Sequence, residues 1–388
     1  MSLNSTPKSE RIHIGFFGKT NAGKSSVINK VTAQNLSIVS DVKGTTTDPV
    51  LKSMELLPLG PVVIIDTPGI DDKTELGKAR TDKTNEILRK TDIAVIVIDA
   101  NDEDEDTINL IREKKIPHII CYNKCDIKKR ENLNDNEICV SAKTGENIDK
   151  LKELIASKIK NNKNDKKIVS DILNKGDIAL LVIPIDESAP KGRLILPQQQ
   201  TIRDLLDSGN MCICVKDTEL EGAMETFKGK VKIVITDSQA FEKVAKIVPC
   251  DILLTSFSIL FMRYKGELEC AVKNAKVLDA LSDGDVVLIS EGCSHHRQCN
   301  DIGAVKIPNW IKEYTKKDIK FEFTSGGEFP DDLSRYSLIV HCGGCMLNET
   351  EMKNRIKTAN EQNVPITNYG IAIAHMNGIL KRSIEPFM

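Results

Sequence analysis

Short runs of apolar, largely β-branched residues recur along this chain, each bounded by glycine or polar residues and most followed by a helically spaced segment. In the N-terminal part they are Ile12-His13-Ile14-Gly15-Phe16-Phe17, Val62-Val63-Ile64-Ile65, Ala94-Val95-Ile96-Val97-Ile98 and residues 116–121. Apolar runs without alternation suit strands buried on both faces, the pattern of a parallel sheet covered by helices. Helical spacing follows at Val27, Ile28 and Val31, and again over residues 148–159. The run Lys160-Asn161-Asn162-Lys163-Asn164-Asp165-Lys166-Lys167 is polar enough for a solvated boundary. Beyond it, residues 178–183, 212–215 and 231–235 read as strands, alternating with helical patterns at 202–206, 220–227 and 241–248. Val286-Val287-Leu288-Ile289 and Leu338-Ile339-Val340 continue the series. Strand–helix alternation throughout predicts an α/β chain with mostly parallel sheets; the length allows two or three domains, and three are expected, at 1–163, 171–258 and 262–388.

The totals agree with that division. At 388 residues the chain exceeds one ordinary core, and 40% hydrophobic content supports several. Lys+Arg 54 against Asp+Glu 56 leaves a formal charge of −2, which argues against broad binding to nucleic acid or an anionic membrane surface. No stretch reads as a membrane span. The opening MSLNSTPKSE lacks the apolar core of a signal peptide, so a cytoplasmic location is expected, with the eleven cysteines present as thiols or metal ligands.

The first strand opens into Gly18-Lys19-Thr20-Asn21-Ala22-Gly23-Lys24-Ser25-Ser26, a G-x-x-x-x-G-K-S loop between strand and helix. The glycines let backbone N–H groups wrap phosphates, Lys24 neutralises the β and γ groups, and Ser25 is placed for Mg²⁺. Asp66, in Asp66-Thr67-Pro68-Gly69, can hold Mg²⁺ through water, and the Gly69 amide can sense the γ-phosphate. Asn123-Lys124-Cys125-Asp126 and Ser141-Ala142-Lys143 follow in the order of the guanine-reading loops of small GTPases, which they resemble. Asp126 would accept two N–H donors that guanine has and adenine lacks, so GTP is the expected ligand. Lys43-Gly44-Thr45-Thr46-Thr47-Asp48-Pro49 resembles the first switch of the TrmE and Era GTPases. That match implies Thr46 over Mg²⁺, with Thr45 as the alternative register. Ile70 stands where Ras-like enzymes carry the glutamine that orients water. The TrmE-like group uses K⁺ there, held partly by a phosphate-loop asparagine, and Asn21 occupies the matching position. Lys24, Asn21 and Thr46 are therefore the expected catalytic groups.

The most distinctive chemistry lies near the C-terminus. His341-Cys342-Gly343-Gly344-Cys345 follows one predicted strand, and Glu291-Gly292-Cys293-Ser294-His295-His296 follows another. Open α/β sheets place their ligands beyond strand C-termini, so Cys293, Cys342 and Cys345 can meet there. Three thiols beside histidines suit zinc or an iron–sulfur cluster, and the plain alternative is inert buried thiols. Cys299 competes with Cys293. Cys212, Cys214, Cys250 and Cys270 read as core residues.

Residues 188–200, SAPKGRLILPQQQ, after the GTPase motifs, with Cys293-x-His295 ahead of His341-Cys342-x-x-Cys345, resemble the HydF family of FeFe-hydrogenase maturation GTPases over essentially the whole chain. The resemblance implies a 4Fe-4S cluster on the cysteine loops and a middle domain that forms a homodimer. It also implies receipt of a di-iron precursor from the radical-SAM maturases HydE and HydG, for delivery to apo-hydrogenase (HydA). His295, His296, His341 and Asp301 lie near enough in sequence to supply a fourth cluster ligand. Two other readings compete: an RNA- or ribosome-associated TrmE/Era-like GTPase, and a GTPase with a structural zinc site.

Overall fold

The computed structural model describes residues 6–33, 50–67, 77–160, 166–185, 194–293 and 301–388. The chain divides into two compact units, Met1–Asn164 and Asp165–Met388, with the boundary inside the polar run noted above.

The first unit is one six-stranded sheet in the order β2-β3-β1-β4-β5-β6. Its strands are β1 Ile12–Phe17, β2 Val50–Leu56, β3 Gly60–Asp66, β4 Ile93–Asp99, β5 His118–Asn123 and β6 Glu137–Cys139. All pair in parallel except β2, which runs antiparallel to β3. β1 is buried along its whole length, as its unbroken apolar run requires. β2 escaped the sequence reading because it is an edge strand carrying Lys52, Ser53 and Glu55, and most of its residues face solvent at least in part. Separate cores line the two faces of the sheet. Phe16, Val27 and Leu151 belong to one, and Phe17, Ile87 and Ile120 to the other. Each such side chain contributes about 1.5–3 kcal/mol on burial.

The second unit carries two four-stranded sheets, ordered β10-β9-β7-β8 and β12-β11-β13-β14. The former comprises β7 Ile178–Val182, β8 Met211–Val215, β9 Val231–Thr236 and β10 Leu253–Ser256. The latter comprises β11 Val286–Ser290, β12 Lys320–Thr324, β13 Leu338–His341 and β14 Ile366–Asn368. Every pairing in both is parallel. The sheets do not keep wholly separate cores. Leu180 and Val234 from one share a cluster with Leu288 and Ile339 from the other, so both sit in a single compact unit.

Of the four cysteines expected in the core, Cys212 and Cys270 pack against core clusters and Cys214 and Cys250 do not. Cys214 and Cys250 are exposed, and Cys212 and Cys270 are half-buried. β8 lies at the end of its sheet, so alternation along it does not imply burial on both faces. Among the described residues, no helix is long and apolar enough to cross a membrane.

Candidate functional site

In the first unit, the loop after β1 leads into the helix Lys24–Thr32. Two glycines are sterically required in it. A Cβ on Gly18, at φ +137°, would lie 2.2 Å from the Val97 carbonyl oxygen, and one on Gly23, at φ +88°, would lie 2.3 Å from Asn123 Nδ2. Asn21 also has positive φ, 66°. Lys24 is buried and folds back over the loop, donating from Nζ to the carbonyls of Gly18 at 2.9 Å and Lys19 at 2.8 Å. Its ammonium is thereby held at the centre of the loop. Ser25 Oγ donates to Asp66 Oδ2 at 2.9 Å, which brings the two expected Mg²⁺-binding groups together.

The base-reading loops are tied to the phosphate loop. Asn123 donates from Nδ2 to the Ala22 carbonyl at 3.1 Å and accepts from the Ala142 amide at 3.1 Å, joining three motifs through one side chain. Lys124 reaches Asp99 at 2.6 Å. Burial alone would raise the Asp99 carboxyl, but hydrogen bonds from Lys124 and Asn101 outweigh it and hold it below the usual range. Ser141 Oγ donates to Asp126 Oδ1 at 2.6 Å, lowering that exposed carboxyl and keeping it ionised. Lys143 follows Ala142 beside this pair. Ser26 sits in the first turn of the helix that Lys24 opens. Thr45, Thr46, Gly69 and Ile70 lie outside the described residues.

In the second unit, β11 and β13 are neighbours, with Ser290 opposite His341. β12 lies on one side of β11 and β13 on the other, so the strand order reverses between them. The crevice at such a reversal is where doubly wound sheets bind ligands. Cys293 follows β11, and Cys342 and Cys345 follow β13. The Cys342 sulfur accepts N–H groups from Gly292 at 3.1 Å and Gly344 at 3.3 Å, and Gly344 has φ +66°. Burial drives all three thiols upward, Cys345 to about 12, and the neighbouring cysteines add to the rise at Cys293 and Cys345. Metal loading must therefore displace thiol protons. Among the described residues, no three His, Cys, Asp or Glu side chains converge closely enough to hold a single metal ion.

His341, one of the four candidates for a fourth cluster ligand, is held by its own neighbours in this structure. Its ring is fully buried, with Nδ1 against the Cys342 carbonyl at 2.8 Å and Nε2 against Arg355 Nη1 at 3.1 Å. Burial first, and the Arg355 charge second, lower its pKa to about 3. With Arg355 as a donor, Nε2 accepts and Nδ1 donates, so both ring nitrogens are engaged in this arrangement. Asp301 Oδ1 accepts from the amides of Gly303 at 2.9 Å and Ala304 at 2.8 Å, capping the short helix Ile302–Lys306. His295, His296 and Cys299 lie outside the described residues.

Several groups near the cysteine loops were not evident from sequence. Arg355 is fully buried, donating to Glu351 at 2.7 Å, the Gly326 carbonyl at 2.6 Å and Ser290 Oγ at 3.4 Å, besides His341. Lys265, also buried, donates to the carbonyls of Leu347 at 2.9 Å and Cys345 at 3.3 Å. Tyr369 donates to Glu291 at 3.2 Å, and burial followed by that carboxylate raises the phenol well above its ordinary value. The Glu351/Arg355 spacing reads in sequence as an ordinary surface ion pair, and only burial distinguishes it. Arg355→Met should lower the stability of the second unit by about 3–5 kcal/mol, because it strands a buried Glu351 carboxylate. Adding Glu351→Gln should recover part of that loss, and chemical denaturation of both proteins measures it.

The fold and the linked phosphate and base loops define the first unit as a P-loop GTPase domain. Residues 13–124 match the family model described as 50S ribosome-binding GTPase. Residues 168–266 match the hydrogen maturase F dimerization domain, and residues 269–386 match its tetramerization domain. These two HydF models together cover more than half of the chain, which therefore belongs to the HydF family. GTPase Der of Wolinella succinogenes is 36% identical over 185 residues, 42% of this chain and 39% of that protein. The tRNA modification GTPase MnmE of Legionella pneumophila (strain Paris) is 34% identical over 153 residues, 38% of this chain and 34% of that protein. The chain thus spans well under half the length of these curated relatives. A crystal structure of Aquifex aeolicus Era bound to GDP·AlF4⁻ aligns with 61% of this chain and 97% of its own, at 19% identity and a TM-score of 0.35.

Proposed function

We propose that this chain is a GTP-hydrolysing scaffold and carrier in FeFe-hydrogenase maturation, with a 4Fe-4S cluster on Cys293, Cys342 and Cys345. The observation that carries it is the emergence of both cysteine loops at the strand-order reversal of a domain matching a HydF model. The residues fit such a group. Three cysteines supply thiolates, Cys342 already receives two backbone N–H groups, and buried Lys265 and Arg355 bring positive charge toward an anionic site. When bound, the cluster would offer an iron with an exchangeable position; His295, His296, His341, Asp301 or solvent would complete it, and the bonds His341 already makes favour the others. The di-iron precursor is cargo, received from HydE and HydG and passed to apo-hydrogenase. The dimerization and tetramerization matches support assembly of several copies.

At the nucleotide, Lys24 would neutralise the β and γ phosphates, Ser25 and Thr46 would hold Mg²⁺ with Asp66 acting through water, and Asp126 would read guanine with Asn123, Lys124 and the Ser141–Lys143 loop. Asn21 would contribute to a K⁺ site, whose charge would stabilise the negative charge developing on the phosphates in a chain that carries Ile70 where Ras-like enzymes have glutamine. Hydrolysis should run about tenfold or more faster in K⁺ than in Na⁺ at matched ionic strength, and Asn21→Ala should erase the difference. Equal wild-type rates in the two salts would remove the potassium mechanism. For the cluster, anaerobic reconstitution should load iron and acid-labile sulfide in comparable amounts and give a reduced-state electron-spin resonance signal. Zinc bound without sulfide would overturn the carrier reading.

A further inference from the structure

Cys212 and Cys214 lie two residues apart on β8, so their side chains leave the same face of the sheet. Their sulfurs are 4.0 Å apart. β8 is the last strand of its sheet, pairing only with β7 among the described strands, and Cys214 is exposed while Cys212 is half-buried. A thiol pair at this spacing can be closed by a disulfide or bridged by a metal ion, and strand geometry separates the two. Residues i and i+2 of an extended strand are about 6.6 Å apart with near-parallel Cα–Cβ bonds. A disulfide needs Cβ atoms roughly 3.8 Å apart, so forming one here would break the strand. Two thiolates on one tetrahedral ion with Zn–S bonds of ~2.3 Å sit ~3.8 Å apart, within a few tenths of an ångström of the observed separation.

We infer that Cys212 and Cys214 form a two-thiolate site for a soft divalent cation of the zinc type, on the open edge of the β7–β10 sheet. Binding replaces the thiol protons, which go to solvent, with two metal–sulfur bonds. The outward positions of the ion fall to water, or to the same pair on a second copy. The latter is open because β8 is an edge strand among the described residues, within 168–266, the span matching a dimerization domain. The site is independent of the cluster reading, since it shares no residue with Cys293, Cys342 or Cys345.

The test uses the full-length chain with Cys293, Cys342 and Cys345 all changed to Ser, titrated anaerobically with Cd²⁺ and followed by thiolate-to-cadmium charge-transfer absorption. One tightly held ion per chain is expected, or one per two chains if two copies close the site. Adding Cys212→Ser or Cys214→Ser should weaken binding at least tenfold, with circular dichroism and GTPase rate unchanged. No charge-transfer band in the parent variant, or equal affinity after Cys212→Ser, would overturn the proposal. Iron loading of the wild type is measured separately, so failure of the cluster leaves this result readable.

Discussion

Replacing any one of Cys293, Cys342 and Cys345 by Ala should strip the protein of iron while leaving GTP hydrolysis intact. Each thiolate would hold one iron of the cluster, and two remaining thiolates cannot hold it against solvent and chelators. Loss of an outer-shell partner already costs ~10–100-fold in metal affinity, so loss of a ligand should cost more. The hydrolytic groups lie in the unit Met1–Asn164 and the cysteines in Asp165–Met388, which is why the GTPase rate should survive. Hydrogenase activation should fail in all three variants. Replacing Asp301 or His295 should instead leave iron content largely intact and alter ligand exchange at the open iron. His341→Ala should behave differently again. The ring is bound to Arg355 and the Cys342 carbonyl, so its removal should disturb the loop whether or not it reaches the cluster. Iron, sulfide and electron-spin resonance measured beside GTPase rate separate these outcomes. Full iron in a cysteine variant would take that residue out of the site.

Asp126→Asn should move nucleotide preference from GTP to xanthosine triphosphate. Asp126 accepts from Ser141 Oγ at 2.6 Å, which fixes the carboxylate orientation and favours its ionised form. In that state it offers acceptors only, which would match the two guanine N–H donors. An amide turns one acceptor into a donor and meets a guanine donor head-on, whereas xanthine presents an oxygen there. Two charge-assisted hydrogen bonds are disturbed at an exposed position, so GTP affinity should fall about 100-fold, or ~2.8 kcal/mol. Competition binding of the two nucleotides to wild type and variant gives the number directly. Unchanged GTP affinity would mean that another residue reads the base.

Local sequence determined the GTPase domain and most of the parallel strands. The phosphate loop needs glycine where the backbone takes positive φ and a Cβ would strike Val97 or Asn123, and those constraints are written into adjacent residues. Unbroken apolar runs such as Ala94 to Ile98 likewise admit few environments besides a central strand. The two cysteine loops were legible for the same reason: each directly follows such a run. Strand order and lateral partners were not legible, because they are long-range facts. How far Cys212 and Cys214 enter a core depends on β8 lying at the end of its sheet among the described strands. β2 was missed because a polar edge strand carries little periodic signal. His341 is one of four candidate ligands by its nearness to Cys342, and only the tertiary structure brings Arg355, fourteen residues later on the helix Glu349–Glu361, against its ring. A side chain's neighbours along the chain reveal its backbone conformation, but its protonation and availability depend on what tertiary packing brings against it.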